Sequence, residues 1–363
     1  MDRFLIVRTS ALGDILHGMP VAAALKEKYP RCRITWVVDE RYQELLAGHP
    51  WVDRILLVRF KEGLRTLRDA RGRKNWIGLV RTLRDLCFDV AIDLQGLFRS
   101  GCISYLSQAP IRIGFPRGHV RETLNRVFTN VRPRSIPPRS HVIDRNLALL
   151  HPLGIYTRER RFSFRVPPSV QDSIGRYLRA TDGEGQRLRV VVHPAAGWIT
   201  KLWDPKHYAE IADRVLKTWD TSVFLLWGPG EKELAKQVQG TMRRPGHLVP
   251  DMGLAEMVAF LRGCGLFIGG DSGPLHLASA LGVPVLGLYG PSDPVRNGPF
   301  RGADQVVTAS PPCGPCYKRD CTRSSCMDSI SVEQVWSTLV RMVERFPERV
   351  REEERSYTKG IIG

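Results

Sequence analysis

The feature that most constrains the fold is an alternation. Short runs rich in β-branched and other apolar residues, RFLIVR at 3–8, RITWVVD at 33–39, RILLV at 54–58 and FDVAIDL at 88–94, are separated by longer amphipathic stretches. Strands spaced by helix-length segments favour parallel sheets with crossover helices. The rhythm breaks near RFSFRVPPSV at 161–170, where Pro167-Pro168 and then the polar RATDGEGQR mark a domain edge. It restarts at LRVVVHP (188–194) and continues through TSVFLLWGPG, CGLFIGGDSG and PVLGLYGP. The expected organisation is an α/β chain of two units, 1–165 and 188–330, joined by a linker over 166–187. A helix over 331–346 follows, entered through the capping pair Ser331 and Gln334, and then a loose charged tail, 347–363.

The chain's 363 residues suffice for two cores, and 43% hydrophobic with 25% charged residues describes an ordinary globular protein. No apolar run reaches membrane-spanning length, and the N-terminal MDRFLIVRTS reads as a strand, so the expected compartment is the cytosol. There the eight cysteines are expected reduced and not to form a disulfide framework. The net charge of +17 is unevenly placed. Between Arg54 and Arg84 ten Arg or Lys face only Glu62 and Asp69, and Arg112–Arg145 holds only Glu122 and Asp144 as acids. Such a surface is either a plain solvated face or attracts an anion: nucleic acid, an acidic membrane or a phosphorylated substrate.

In parallel α/β folds, sites form at the carboxyl ends of strands, so the strand-to-helix loops carry the chemistry. In TSALGDILHGMP (9–20), Asp14 near a helix start either caps that helix or projects as a general base whose pKa partial burial would raise. In HPAAGWITKLWDPKHY (193–208), small residues allow close backbone approach, and Lys201 precedes a helix start signalled by Asp204-Pro205. It is either a phosphate-neutralising point charge or an exposed surface lysine. In WGPGEKELA (227–235), Glu231 either caps a helix or accepts from ribose hydroxyls. In FIGGDSGPLHLASALGVPVLGLYGP (267–291), a strand stops at two glycines before Asp271, Ser272, Gly273 and His276. The order strand–turn–helix lacks nucleophile-elbow spacing, so an anion seat of backbone N–H groups and the Ser272 hydroxyl is the better reading, with His276 an added donor. Asp271 would then bind a sugar hydroxyl or fix the loop by accepting backbone N–H bonds. The thiols Cys313, Cys316, Cys321 and Cys326 could hold zinc or an iron–sulfur cluster, but the spacing is not that of a zinc ribbon, and a reduced packed loop is the preferred reading.

GDSGPLHLASALGVPVLGLYGPSDP together with IVRTSALGDILHGMP resembles the ADP-heptose:lipopolysaccharide heptosyltransferases, glycosyltransferase family 9, over essentially the whole chain. ITWVVDE, DVAIDLQGLFRSG and RIGFPRG resemble heptosyltransferase I within it, with heptosyltransferase II the near alternative. The resemblance implies a GT-B fold, two Rossmann-like domains facing each other across a cleft that closes for reaction. It implies an inverting transfer of L-glycero-D-manno-heptose from ADP-heptose to a Kdo residue of Kdo-lipid A, at the anionic cytoplasmic leaflet of the inner membrane. Asp14 would be the general base, and Lys201 would hold phosphate as ADP leaves. Glu231 would hold the ribose, and Met252 would lie near adenine. Asp271 would contact heptose, with Ser272, Gly273 and His276 around the diphosphate. Where relatives carry hydroxyls, this chain has Ala195 and Ala196, so those contacts must come from backbone N–H groups or Thr200. Arg59, Lys61, Arg99, Arg121 and His141 are the candidates for the acceptor's carboxylates and phosphates. No metal or other cofactor is expected, since Lys201 and a helix N-terminus can take the leaving charge. Two other classes compete: a basic nucleic-acid-binding protein, disfavoured by the absence of an RNA motif, and a GT-B sugar-nucleotide epimerase.

Overall fold

The computed structural model describes residues 1–59, 70–182 (backbone only for 70–75), 188–309, 311–321 and 326–345. It divides between Arg165 and Val166 into two units. The first contains strands β1 (Arg3–Val7), β2 (Arg33–Asp39), β3 (Arg54–Val58), β4 (Val90–Asp93) and β5 (Ile111–Ile113). Its helices are α1 (Leu12–Leu16), α2 (Met19–Lys28), α3 (Ala70–Asp85), α4 (Phe98–Leu106) and α5 (Val142–Ala148). Its sheet has the order β3-β2-β1-β4-β5, and every pairing is parallel. Phe4, Leu5, Ile6 and Val7 of β1 are wholly buried, as befits a central strand covered on both faces.

The second unit contains α6 (Pro168–Asp182), β6 (Leu188–His193), α7 (Pro205–Thr218), β7 (Thr221–Leu225), α8 (Lys232–Thr241), β8 (His247–Leu248) and α9 (Leu254–Arg262). It continues with β9 (Leu266–Gly270), α10 (Gly273–Leu281), β10 (Val285–Tyr289), α11 (Pro294–Asn297), β11 (Gln305–Thr308) and α12 (Val332–Arg345). Its parallel sheet runs β11-β10-β9-β6-β7-β8. In both sheets the chain starts in the middle, builds toward one edge, then returns to build the other. The strand order therefore reverses between β1 and β4 in the first unit and between β6 and β9 in the second, and ligands bind at such reversal points. Val190, Val192, Leu266, Ile268, Leu286 and Leu288 meet Trp203, Tyr208 and Ile211 in the second core. Leu339 and Met342 of α12 belong to the same buried cluster.

Two expectations change. The segment 166–187 is not a linker throughout, because α6 fills most of it. Pro168 opens that helix, where a missing N–H costs nothing. Leu178 of α6 packs so close to Gly263 that a Cβ there would come within 2.6 Å of its Cδ1. Asp182 pairs with Arg189 of β6 at 2.5 and 3.2 Å. Strand β9 also does not stop before its glycines but runs through both. Gly269 lies in register with His193, and a Cβ on it would stand 2.9 Å from the His193 carbonyl oxygen. The terminal helix is entered as expected: Ser331 N donates to Gln334 Oε1 at 2.9 Å and Gln334 N to Ser331 Oγ at 3.2 Å. The tail at 347–363 lies outside the described residues.

Candidate functional site

In the second unit the loops after β6, β7 and β9, three adjacent strands, carry the charged groups. After β6, Asp204 caps α7 by accepting from Lys206 N at 2.8 Å, with Pro205 as the first helical residue. Just before it stands Lys201, whose side chain is only 8% exposed, which excludes a surface lysine. Its ammonium donates to Asp271 Oδ2 and lies 3.6 Å from the centroid of the Trp198 ring. The other oxygen of Asp271 meets His276 Nε2 at 3.1 Å. Burial alone would raise the Asp271 carboxyl, but His276 and Lys201 outweigh it and hold it well below the usual carboxylate range. Ser272 is the N-cap residue of α10 and makes no side-chain cap bond, so the first N–H groups of that helix keep their anion-binding capacity. Glu231 precedes α8 without capping it. Its carboxylate turns back to accept from Gly228 N at 2.8 Å and faces His193 Nε2 at 3.2 Å. Burial pushes Glu231 up, and the bond from His193, with its charge when the ring is protonated, and the Gly228 N–H bring it net below its ordinary value.

In the first unit the equivalent reversal point lies between the ends of β1 and β4. There Thr9 donates through its N–H and its hydroxyl to Gln95 Oε1 at 2.7 and 2.9 Å, and Arg8 reaches the Leu94 carbonyl. Asp14 stands in the first turn of α1. Ala11, not Asp14, is the N-cap residue, and Asp14 Oδ2 accepts from Ala11 N at 3.4 Å. The buried Arg8 guanidinium is ion-paired with Asp14 Oδ1, and the half-exposed Arg121 lies 3.7 Å from Oδ2. Burial raises the Asp14 carboxyl, but Arg8 and Arg121 together with the Ala11 N–H more than reverse it. The expected upward shift of a base is therefore overturned: this carboxylate is held ionised below its ordinary range.

A model of glycosyltransferase family 9, the heptosyltransferases, matches residues 76–326. A lipopolysaccharide heptosyltransferase 1 of Pseudomonas aeruginosa is 31% identical over 326 residues, 88% of this chain and 87% of that protein. The chain belongs to glycosyltransferase family 9. A family 9 glycosyl transferase from Veillonella parvula superposes with a TM-score of 0.79 at 21% identity, covering 95% of this chain and 97% of that one. The Escherichia coli heptosyltransferase WaaC, solved with ADP, superposes with a TM-score of 0.75 at 23% identity, covering 94% and 99%. The architecture is thus the GT-B fold of these enzymes, and the chain is a glycosyltransferase.

Within this family 9 chain the expected site residues sort by position. Lys201, Glu231, Asp271, Ser272 and Gly273 stand at neighbouring strand ends, with the buried Ala195 and half-buried Ala196 in the loop after β6. Met252 is half-buried beside Gly253, the N-cap residue of α9. Three roles change. Thr200 is not a free donor for phosphate, since its hydroxyl donates to the Lys318 carbonyl at 2.7 Å. His276 is buried inside α10 and aims Nε2 at Asp271, so it positions that carboxylate. Asp271, expected either to bind a sugar hydroxyl or to fix the loop through backbone N–H bonds, accepts from the side chains of Lys201 and His276.

Among the acceptor candidates, His141 is buried and caps α5 by accepting from Ile143 N at 3.2 Å, with its ring edge-on to His17. It is not an exposed charge for an acceptor. Arg59 is exposed and paired with Glu40 at 2.6 Å. Arg99 is exposed on α4, and Arg121 lies near Asp14. Lys61 lies outside the described residues. The arginine-rich stretch 112–145 is also less available than its charge suggests. Arg112 donates to the Phe128 and Ala109 carbonyls, Arg132 to those of Arg126 and Thr129, and Arg145 to those of Ser140 and Pro138. Burial raises the Cys326 thiol, and Cys316, Cys313 and Cys321 lie close enough to raise it further. Among the described residues no group of three or more His, Cys, Asp or Glu is arranged to hold a metal ion. No described helix is long and apolar enough to cross a membrane.

Sequence reasoning missed Arg8 and His193. Each is a polar residue ending or following an otherwise apolar central strand, and that contrast was the available signal.

Proposed function

We propose that the chain transfers L-glycero-D-manno-heptose from ADP-heptose to a Kdo residue of Kdo-lipid A, with inversion at the anomeric carbon. The observation that carries the reading is the buried Lys201 ammonium at the reversal point of the second sheet, beside the uncapped N-terminus of α10. A fixed cation and converging N–H groups match a leaving diphosphate, which gains negative charge as the bond to the sugar breaks. Membership of family 9 and the likeness to a heptosyltransferase 1 support heptose as the sugar.

In this reading the acceptor hydroxyl attacks the anomeric carbon, the carbon–oxygen bond to ADP breaks, and Asp14 takes the hydroxyl proton. Its ion pairs keep Asp14 ready to accept through neutral pH but make it a weak base. The proton therefore leaves late, once bond formation has made the attacking oxygen acidic. Asp271 holds Lys201 in place, and Glu231 faces the ribose. Arg99 and Arg121 are exposed cations for the phosphorylated acceptor, whose lipid would hold the enzyme at an anionic leaflet. The test is to incubate the protein with ADP-heptose and Kdo-lipid A and weigh the lipid. A gain of one heptose supports the reading, and gain only on a heptose-extended acceptor moves it to the second transfer. No gain on either acceptor refutes it.

A further inference from the structure

His193 ends the central strand β6 and is wholly buried. It touches the loops of both flanking strands: Nε2 lies 3.2 Å from Glu231 Oε2 in the loop after β7, and Nδ1 lies 3.3 Å from Ser272 Oγ after β9. Phe267 of β9 packs tilted against the ring, with centroids 6.1 Å apart, and brings no charge. Asp271, the residue before Ser272, has its oxygens turned to Lys201 and His276.

The hydrogen positions follow from chemistry. An ionised carboxylate only accepts, so the nitrogen facing Glu231 carries the hydrogen. In neutral imidazole Nδ1 is then a lone pair, and Ser272 must donate to it. A serine hydroxyl has one hydrogen. While it points at His193, Ser272 shows an approaching anion only lone pairs. If it turned away, a buried ring nitrogen would lose its partner. When His193 carries both hydrogens, Nδ1 donates to Ser272 and the serine hydrogen is released toward the helix N-terminus.

We propose that His193 is a positioning residue that sets the hydrogen-bond polarity of Ser272, so that a diphosphate group at the start of α10 is bound together with one proton taken from solvent onto His193. The inference rests on the donor reading above. The same proton strengthens the bond to Glu231, so the ribose-facing carboxylate and the phosphate-facing hydroxyl are set by one ring.

The test is calorimetric titration with ADP near neutral pH in buffers of different ionisation heat, for the wild type, His193→Gln and Ser272→Ala. Glutamine bridges a donor-requiring carboxylate and a donating hydroxyl through its amide without titrating. ADP's own ionisation is common to all three proteins and cancels. The wild type is expected to take up more protons per ADP than either variant, and its affinity is expected to fall up to about tenfold per pH unit on the alkaline side. His193→Gln should still bind ADP but with a flatter pH dependence. Equal proton counts in the wild type and both variants overturn the inference while leaving the donor reading intact. Failure of the wild type to bind ADP overturns both.

Discussion

Replacing Lys201 by methionine removes one charge of a buried pair and keeps most of its volume. Lys201 and Asp271 have side chains only 8% and 4% exposed, so solvent cannot take over the lost interaction. Asp271 would keep His276, at 3.1 Å, as its partner. Breaking a buried pair by removing one member costs about 3–5 kcal/mol, because the remaining charge is desolvated and underpaired. At roughly 2–4 °C per kcal/mol for a unit of this size, the second unit should melt about 10 °C lower. The pH dependence follows from the direction of the shift. The wild-type Asp271 carboxyl lies below its unfolded value, so its contribution is present above the ordinary carboxylate range and is lost as pH falls through the lower folded value. Without Lys201 the folded value rises, and acid unfolding begins at higher pH. Scanning calorimetry of the wild type, Lys201→Met and Lys201→Met with Asp271→Asn measures this. The double variant should recover most of the loss, since neither member of the Lys201–Asp271 pair is then left as a buried, unpaired charge. As a control, loss of the Arg214–Glu333 pair, whose glutamate is 72% exposed, should shift melting by about 2 °C or less. A single variant melting within about 2 °C of the wild type, with the double variant no better, refutes the reasoning.

Asp14→Asn should lower heptose transfer by roughly 10²–10⁴-fold, the usual span for losing a general base, with ADP binding unchanged by calorimetry; near wild-type turnover removes Asp14 as base. Arg8→Met removes the largest attraction that holds Asp14 low, so burial then raises its pKa and the acid limb of the pH–rate profile should move to higher pH; an unmoved acid limb separates Arg8 from the base. Transfer should survive dialysis against EDTA, since Lys201 and the N-terminus of α10 are proposed to take the leaving charge. Restoration of a lost activity by added divalent cation would overturn that assignment.

Local chemistry made much of this protein legible from its sequence. The alternation of apolar and amphipathic segments gave two parallel α/β units because strand and helix patterns repeat over a few residues. Asp204 with Pro205, and Ser331 with Gln334, announced helix starts because a cap reaches only two or three residues along the chain. The same local signals misled where a distant neighbour decided the matter. The paired prolines at 167–168 do stand at the edge between the two units, but most of the expected linker 166–187 is helix, because Leu178 and Asp182 find partners on Gly263 and Arg189. The charge of 112–145 looked like a surface for anions, but several of its arginines bind loop carbonyls.

The site's wiring belongs to the tertiary structure alone. His193 meets Glu231 38 positions away and Ser272 79 positions away, and Lys201 meets Asp271 at a separation of 70. These contacts exist because the sheet order sets β6 between β7 and β9. Sequence spacing carries no trace of that order, since parallel neighbours are joined through crossover helices whose lengths do not fix which strands lie side by side. The protonation of Asp14 was likewise undecidable from its own loop. Burial and the Arg8 guanidinium push it in opposite directions, and only the folded packing determines which prevails.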